Sequence, residues 1–270
     1  MSRIATLIIA AVVTSWPSVH GAPRAVSRAE RPTPVIVELF TSEGCIDCPP
    51  ADALLDRLVA GQPVAGADII ALGEHVDYWD RLGWKDRFSS ATLTARQQRY
   101  QARFNAESLY TPQMIVDGRA EFVGSDAGAA RRAIERTLSA PRGVVSITTD
   151  DRRAQGPAPQ MSVSVTVTDL PRIAGGDRAD VMVAITERGL TTDVKRGENH
   201  GKLLTHAPVV RCLAVIGQIA PDASNGSART DLPIDPAWQR DHLVIVAFVQ
   251  EQRGRAILAS ASIPFKNARP

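Results

Sequence analysis

Thr41-Ser42-Glu43-Gly44-Cys45-Ile46-Asp47-Cys48-Pro49-Pro50 joins an apolar run, Val35 to Phe40, to a helix-favouring one, Ala51 to Ala60. The order reads as a strand, a turn carrying Cys-x-x-Cys, and a helix. A cysteine at a helix N-terminus faces unpaired backbone N–H groups and the positive end of the helix dipole, and both favour thiolate over thiol. Cys45 is therefore the expected attacking sulfur. Cys48 lies within the first helical turn, where it can close on Cys45 and resolve a mixed disulfide. Pro49 and Pro50 suit that turn, which requires no N–H. Asp47, between the cysteines, opposes thiolate formation while complementing the dipole, so the pair should be more reducing than one with a basic residue there.

Half of a zinc site and an inert structural disulfide share the same spacing. The remaining thiol is Cys212, there is no second Cys-x-x-Cys, and no His-x3–5-His follows, so redox chemistry leads. Three cysteines allow one disulfide and one leftover thiol.

Arg3, the apolar run Ile4 to Val13, and the small residues ending near Gly21-Ala22 have the pattern of a secretory signal peptide over residues 1–22. Residues 23–34 read as a flexible lead-in. No stretch reaches the roughly 18 apolar residues of a membrane helix, so no membrane span is expected. The expected location is periplasmic or secreted. With 31 basic and 29 acidic side chains and a net charge of +2, the chain has no single-sign field of the kind that recruits nucleic acid.

Down the chain, Asp68 to Val76 reads as a second buried strand and Ser90 to Ala106 as a helix capped by Ser89 or Ser90. Gln113–Val116 and Ala120–Val123 flank Asp117-Gly118, a type I′ hairpin signature, and Ser125 can cap a last helix. Beyond Pro141 the texture changes to short β-rich runs at 144–148, 161–168, 181–187, 209–216, 243–250 and 256–263. Met161 to Thr168 alternates strictly, as a strand with one wet face does. The expected architecture is an α/β domain over 35–141 followed by an all-β antiparallel sandwich over 143–270.

Strand, Cys-x-x-Cys helix, and a Thr-Pro pair before a hairpin and helix resemble the thioredoxin fold. The resemblance makes the first domain thioredoxin-like, with Cys45 attacking, Cys48 resolving and Pro112, in Tyr110-Thr111-Pro112-Gln113, as a cis-proline beside the disulfide. It also implies that Glu38 is the buried acid beneath the disulfide, accepting the proton of Cys48. More narrowly, VELFTSEGCIDCPPADALLDRL (37–58), HVDYWDRLGWKDRFSS (75–90), YTPQMIVDG (110–118) and KRGENHGKLLTHAPVVR (195–211) are similar to the exported family known as domain of unknown function 1223. Glu74 and the dipeptide Ile46-Asp47 depart from that family's pattern.

Elsewhere the bland readings lead. His75, Asp77, Tyr78, Trp79 and Asp80 follow the second strand, where α/β sheets place ligands, but read better as a packed loop anchored by Trp79 and Trp84. His200 and His206 match no zinc spacing. Cys212 reads as a buried strand thiol. No metal and no organic cofactor are expected. The leading function is exported thiol-disulfide exchange with protein thiols and disulfides as partners, the redox partner itself being unknown. The alternatives are a binding module with a structural disulfide, and copper handling by the reduced pair. The loop Lys195-Arg196-Gly197-Glu198-Asn199-His200-Gly201-Lys202 is richer in ionisable groups than a connection needs, and is a candidate gate over Cys45.

Overall fold

Apolar runs without alternation belong in strands covered on both faces, and β1 (Thr33–Thr41) and β2 (Ala67–His75) are of this kind. A computed structural model describes residues 31–150 and 160–265. The proposed leader, 1–22, and residues 23–30 of the lead-in lie outside the described residues. β1 and β2 pair in parallel, Val35 against Ile69 and Leu39 against Gly73. Between them runs α1 (Pro49–Gly61), its apolar stripe Ala51, Leu54, Leu55 and Leu58 packed on Val35, Val37 and Leu39.

α2 (Ala91–Phe104) starts at Ser90, whose hydroxyl accepts from the Thr92 N–H at 3.2 Å. β3 (Gln113–Val116) and β4 (Ala120–Val123) pair antiparallel at the expected positions. Asp117 and Gly118 have φ of 49° and 64°, the left-handed pair a type I′ turn requires. α3 (Ala127–Thr137) is capped by Asp126, which accepts from the Ala129 N–H at 2.8 Å, and not by Ser125 one residue earlier.

The remaining described strands are β5 (Val144–Asp150), β6 (Gln160–Thr168), β7 (Ala179–Glu187), β8 (Thr191–Asp193), β9 (Leu203–Thr205), β10 (Val209–Ile219), β11 (Gly226–Pro233), β12 (Leu243–Glu251) and β13 (Ile257–Pro264). They correct the expected fold class. In place of a thioredoxin-like α/β domain followed by a separate antiparallel sandwich, one mixed sheet of eight strands runs β13-β12-β7-β10-β2-β1-β3-β4. The junction is β10 beside β2, where Val209 lies parallel to Gly73 and the Gly73 N–H donates to the Pro208 carbonyl at 2.7 Å. A Cβ on Gly73 would stand 2.8 Å from that carbonyl oxygen, so glycine is what permits the approach.

The physical reason for the merger lies in β7 and β12. Their segments Val181–Glu187 and Leu243–Glu251 are buried at nearly every position, so both faces need cover. Met182, Ala184, Val246 and Phe248 share one cluster with Ile36, Ile70, Leu72 and Leu93 of α2. Val181, Val183, Ile185, Ile245, Ala247 and Val249 face Val163, Val165 and Val167 of β6, in the three-stranded sheet β11-β6-β5. The result is a sandwich-like, β-rich fold in which α1 and α3 cover the β1–β3 end.

Candidate functional site

Cys45 and Cys48 form a disulfide with their Cα atoms 5.4 Å apart. The Cys45 N–H donates to the Ser42 carbonyl at 3.2 Å and the Cys48 N–H to the Cys45 carbonyl at 3.3 Å, which winds the turn into α1. Cys48 is the N-cap residue, and its carbonyl accepts from Ala51 and Asp52. The sulfur pair therefore sits at the positive end of the α1 dipole, where Pro49 and Pro50 bring no N–H and those of Ala51 and Asp52 are taken by the Cys48 carbonyl.

A segment from far along the chain covers this turn. The Asn199 amide donates to the carbonyls of Glu43 and Cys45, both at 2.9 Å, and the Glu198 carboxylate accepts from the Ile46 N–H at 3.2 Å. The loop singled out at 195–202 thus packs on the Cys-x-x-Cys turn through Glu198 and Asn199, while Arg196 and His200 are exposed. Cys45 and Cys48 are each 1 % exposed, whereas Ile46 between them is 50 % exposed.

Glu38 is not beneath the disulfide. Side chains alternate along a strand, and Val35, Val37 and Leu39 take the α1 face, so Glu38 points with Ile36 and Phe40 to the other side. There Arg96 Nε donates to Glu38 Oε2 at 2.6 Å, and the Tyr100 hydroxyl donates to Oε1. Arg96 also reaches Glu74 Oε1 at 3.2 Å and Gln250 Oε1 at 2.9 Å, so the network ties α2 and β1 to β12. Burial pushes the Glu74 carboxyl well above its ordinary range; Arg96 opposes this and the neighbouring Glu38 adds to it. Glu74, the departure from the family pattern, is one of two acids facing one buried arginine.

Pro112 follows a cis peptide bond from Thr111. A Cβ built on Gly124 would meet Leu39, Pro112 and Ala51 at 2.7, 3.0 and 3.1 Å, which places Pro112 against the first turns of α1. Trp79 Nε1 donates to Thr111 Oγ1 at 2.8 Å and Trp84 Nε1 to Glu43 Oε2 at 2.7 Å, so both tryptophans anchor the site's loops. Asp77 accepts from the Thr94 hydroxyl, and Asp80 from the Asp86 N–H and the Ser89 hydroxyl. Neither turns toward His75.

His75 instead meets two residues that the sequence reading did not group with it. Asp52, in the first turn of α1, His75, at the end of β2, and His206, after β9, offer ligand atoms within 4.8 Å of one another, and all three are buried. Asp52 Oδ2 accepts from Thr41 Oγ1 at 2.6 Å. His75 Nδ1 lies 2.6 Å from Asp86 Oδ2, and the same carboxylate accepts from the N–H groups of Glu43 and Phe88 at 2.8 Å. His206 Nε2 is 3.0 Å from Thr192 Oγ1 and 3.4 Å from Glu43 Oε1. Burial works against charge on His75, but Asp86, Asp52 and Glu43 outweigh it and raise its pKa. Burial raises the Asp52 carboxyl, with His75 and the Thr41 hydroxyl partly offsetting it. A signal for Asp52 existed: it stands four residues after Cys48 and three before Leu55, a carboxylate on the apolar stripe of its helix.

Fold and site together define a β-rich, sandwich-like protein with a helix-terminal disulfide held under a loop. The chain belongs to the family described as protein of unknown function DUF1223, whose model matches residues 36–250. Its structure is similar to the crystal structure of protein AGR_C_4864 from Agrobacterium tumefaciens, 28 % identical, with a TM-score of 0.64 over 90 % of this chain and 99 % of that one. It is also similar to HBP35 of Porphyromonas gingivalis, 12 % identical, with a TM-score of 0.59 over 90 % of this chain and 78 % of that one, a likeness of fold alone. No curated relative matches the chain.

Proposed function

We propose that the protein exchanges disulfides with other proteins through Cys45 and Cys48. The observation that carries this reading is the position of the disulfide at the N-terminus of α1, where the positive end of the helix dipole stabilises a thiolate once the bond is reduced. In the reduced protein the Cys45 thiolate attacks a substrate disulfide, forming a mixed disulfide and expelling one substrate thiolate. The Cys48 thiolate then attacks the Cys45 sulfur, the Cys45–Cys48 bond forms, and the second substrate thiolate leaves. Two electrons pass to the substrate. The reverse sequence oxidises a substrate dithiol.

The loop carrying Glu198 and Asn199 is the gate in this reading, because it is hydrogen-bonded to the turn that carries both buried sulfurs. The exposed Ile46 gives an arriving polypeptide an apolar contact beside the disulfide. An exported location, periplasmic or secreted, is part of the proposal and rests on the leader-like residues 1–22. Trapping tests the exchange: Cys48→Ser should accumulate mixed disulfides with protein thiols, and Cys45→Ser should not.

The near-complete burial of both sulfurs favours a second reading, a structural disulfide in a binding module. The reduction potential separates the two. A structural bond lies below about −300 mV, and an exchanging one lies above it.

A further inference from the structure

Around His75, the buried atoms Asp52 Oδ1 and His75 Nε2 have no hydrogen-bond partner among the described residues, and Glu43 Oε1 has only its ion pair with His206 Nε2 at 3.4 Å. They line, with Thr41, Ser42, Pro49 and His206, a cavity of about 10 Å³. That is room for one water or one ion. A buried polar atom left unpaired carries a penalty of about 1–3 kcal/mol, so two of them beside one small void point to something that fills it.

The donor set selects among occupants. Asp86 accepts at Nδ1 of His75, so that nitrogen carries a proton and Nε2 is the ring atom left for a ligand, a bound metal taking the place of any proton there. A carboxylate behind an imidazole is the usual support of a metal-bound histidine. Asp52, Glu43 and Asp86 bring three buried carboxylates together, and among the described ion pairs their partners are His75 and His206, with no lysine or arginine. A divalent cation would offset whatever negative charge the three carboxylates carry once both imidazoles serve as neutral ligands. Two imidazoles and one carboxylate are the ligands of zinc and of non-haem ferrous sites, and not those of magnesium or calcium, which prefer oxygen alone.

We propose that Asp52, His75 and His206 bind a divalent transition ion of the zinc or ferrous type, with Glu43 beside its open coordination position. The three ligand atoms lie within 4.8 Å of one another, and binding at metal–ligand distances of about 2.0–2.2 Å requires them to close on a common centre. The site is independent of the redox proposal, because the cysteines are tied to each other and supply no ligand.

The test uses the purified, tag-free, disulfide-bonded protein after chelator treatment, titrated with Zn²⁺ by calorimetry and with Co²⁺ by visible absorption. One equivalent should bind, the cobalt form should show d–d bands with no thiolate charge transfer, and Mg²⁺ or Ca²⁺ should not compete. Asp52→Asn and His206→Gln should each abolish binding, and Asp86→Asn, behind His75, should weaken it about 10- to 100-fold, in variants whose circular dichroism matches the parent. X-ray absorption of the zinc-loaded parent, which needs no variant, should show imidazole scattering and no sulfur. Absence of stoichiometric binding, sulfur ligation, equal competition by Ca²⁺, or unchanged affinity in both ligand variants overturns the proposal.

Discussion

Asn199 donates its side-chain amide to the main-chain carbonyl of Cys45 at 2.9 Å, across 154 positions of sequence. A second bond from the same nitrogen reaches the Glu43 carbonyl at 2.9 Å. One side chain from the loop before β9 thereby holds both ends of the turn that leads into the disulfide. Removing it loosens the cover without touching either sulfur.

Asn199→Ala should therefore speed reduction of Cys45–Cys48 by a small dithiol. Two hydrogen bonds at about 1 kcal/mol each correspond to roughly a thirtyfold larger open population, and at least a tenfold faster rate is expected. A rate equal to that of the parent would show that the loop does not limit access.

Glu38→Gln acts on stability. Arg96 is wholly buried and its short contacts are to Glu38 Oε2 at 2.6 Å, with Glu74 farther off at 3.2 Å. Neutralising the nearer carboxylate leaves a buried guanidinium undercompensated, a loss of about 3–5 kcal/mol, measurable by denaturant unfolding. The exchange rate at Cys45 should stay unchanged where the variant is folded. A slowed exchange with full stability would return Glu38 to proton transfer.

Gly73→Ala probes the joint between the two halves of the sheet. The new methyl would lie 2.8 Å from the Pro208 carbonyl oxygen, which is backbone and cannot swing aside. Destabilisation of about 1–3 kcal/mol is expected, with faster amide exchange at residue 73, whose N–H bonds to Pro208. Gly61→Ala, where an added Cβ meets nothing within 4 Å, serves as the control and should be neutral or slightly stabilising. Equal stabilities for the two variants would mean that β2 and β10 are not joined as described.

Cys212 should resist alkylation at neutral pH. Burial in β10 pushes its thiol above the ordinary value, and only the thiolate reacts. Since a raised pKa leaves less thiolate at any pH below it, the midpoint of iodoacetamide labelling should shift to higher pH than for an exposed cysteine. Labelling of Cys212 at neutral pH as fast as that of reduced Cys45 would contradict this.

The sequence by itself determined the local pieces. Asp117-Gly118 dictated the hairpin because both residues tolerate positive φ. Ser90 dictated the start of α2 because its hydroxyl accepts the N–H two residues on. Cys45, Cys48 and the prolines after them dictated a disulfide at the head of α1. These features depend on interactions within a few residues, so their chemistry is written in adjacent letters.

Only the tertiary structure decided the rest. Whether the apolar strands β7 and β12 close a separate sandwich or extend the sheet of β1 and β2 depends on which edge accepts β10, and the sequence pattern of a strand covered on both faces is the same in either case. The face taken by Glu38 depended on the register of β1 against α1, which one residue inverts. The meeting of Asp52, His75 and His206, and the landing of Asn199 on Cys45, join positions that no spacing rule links. Long-range packing of the whole sheet brings them within reach, and that packing is a property of the burial of all the strands together.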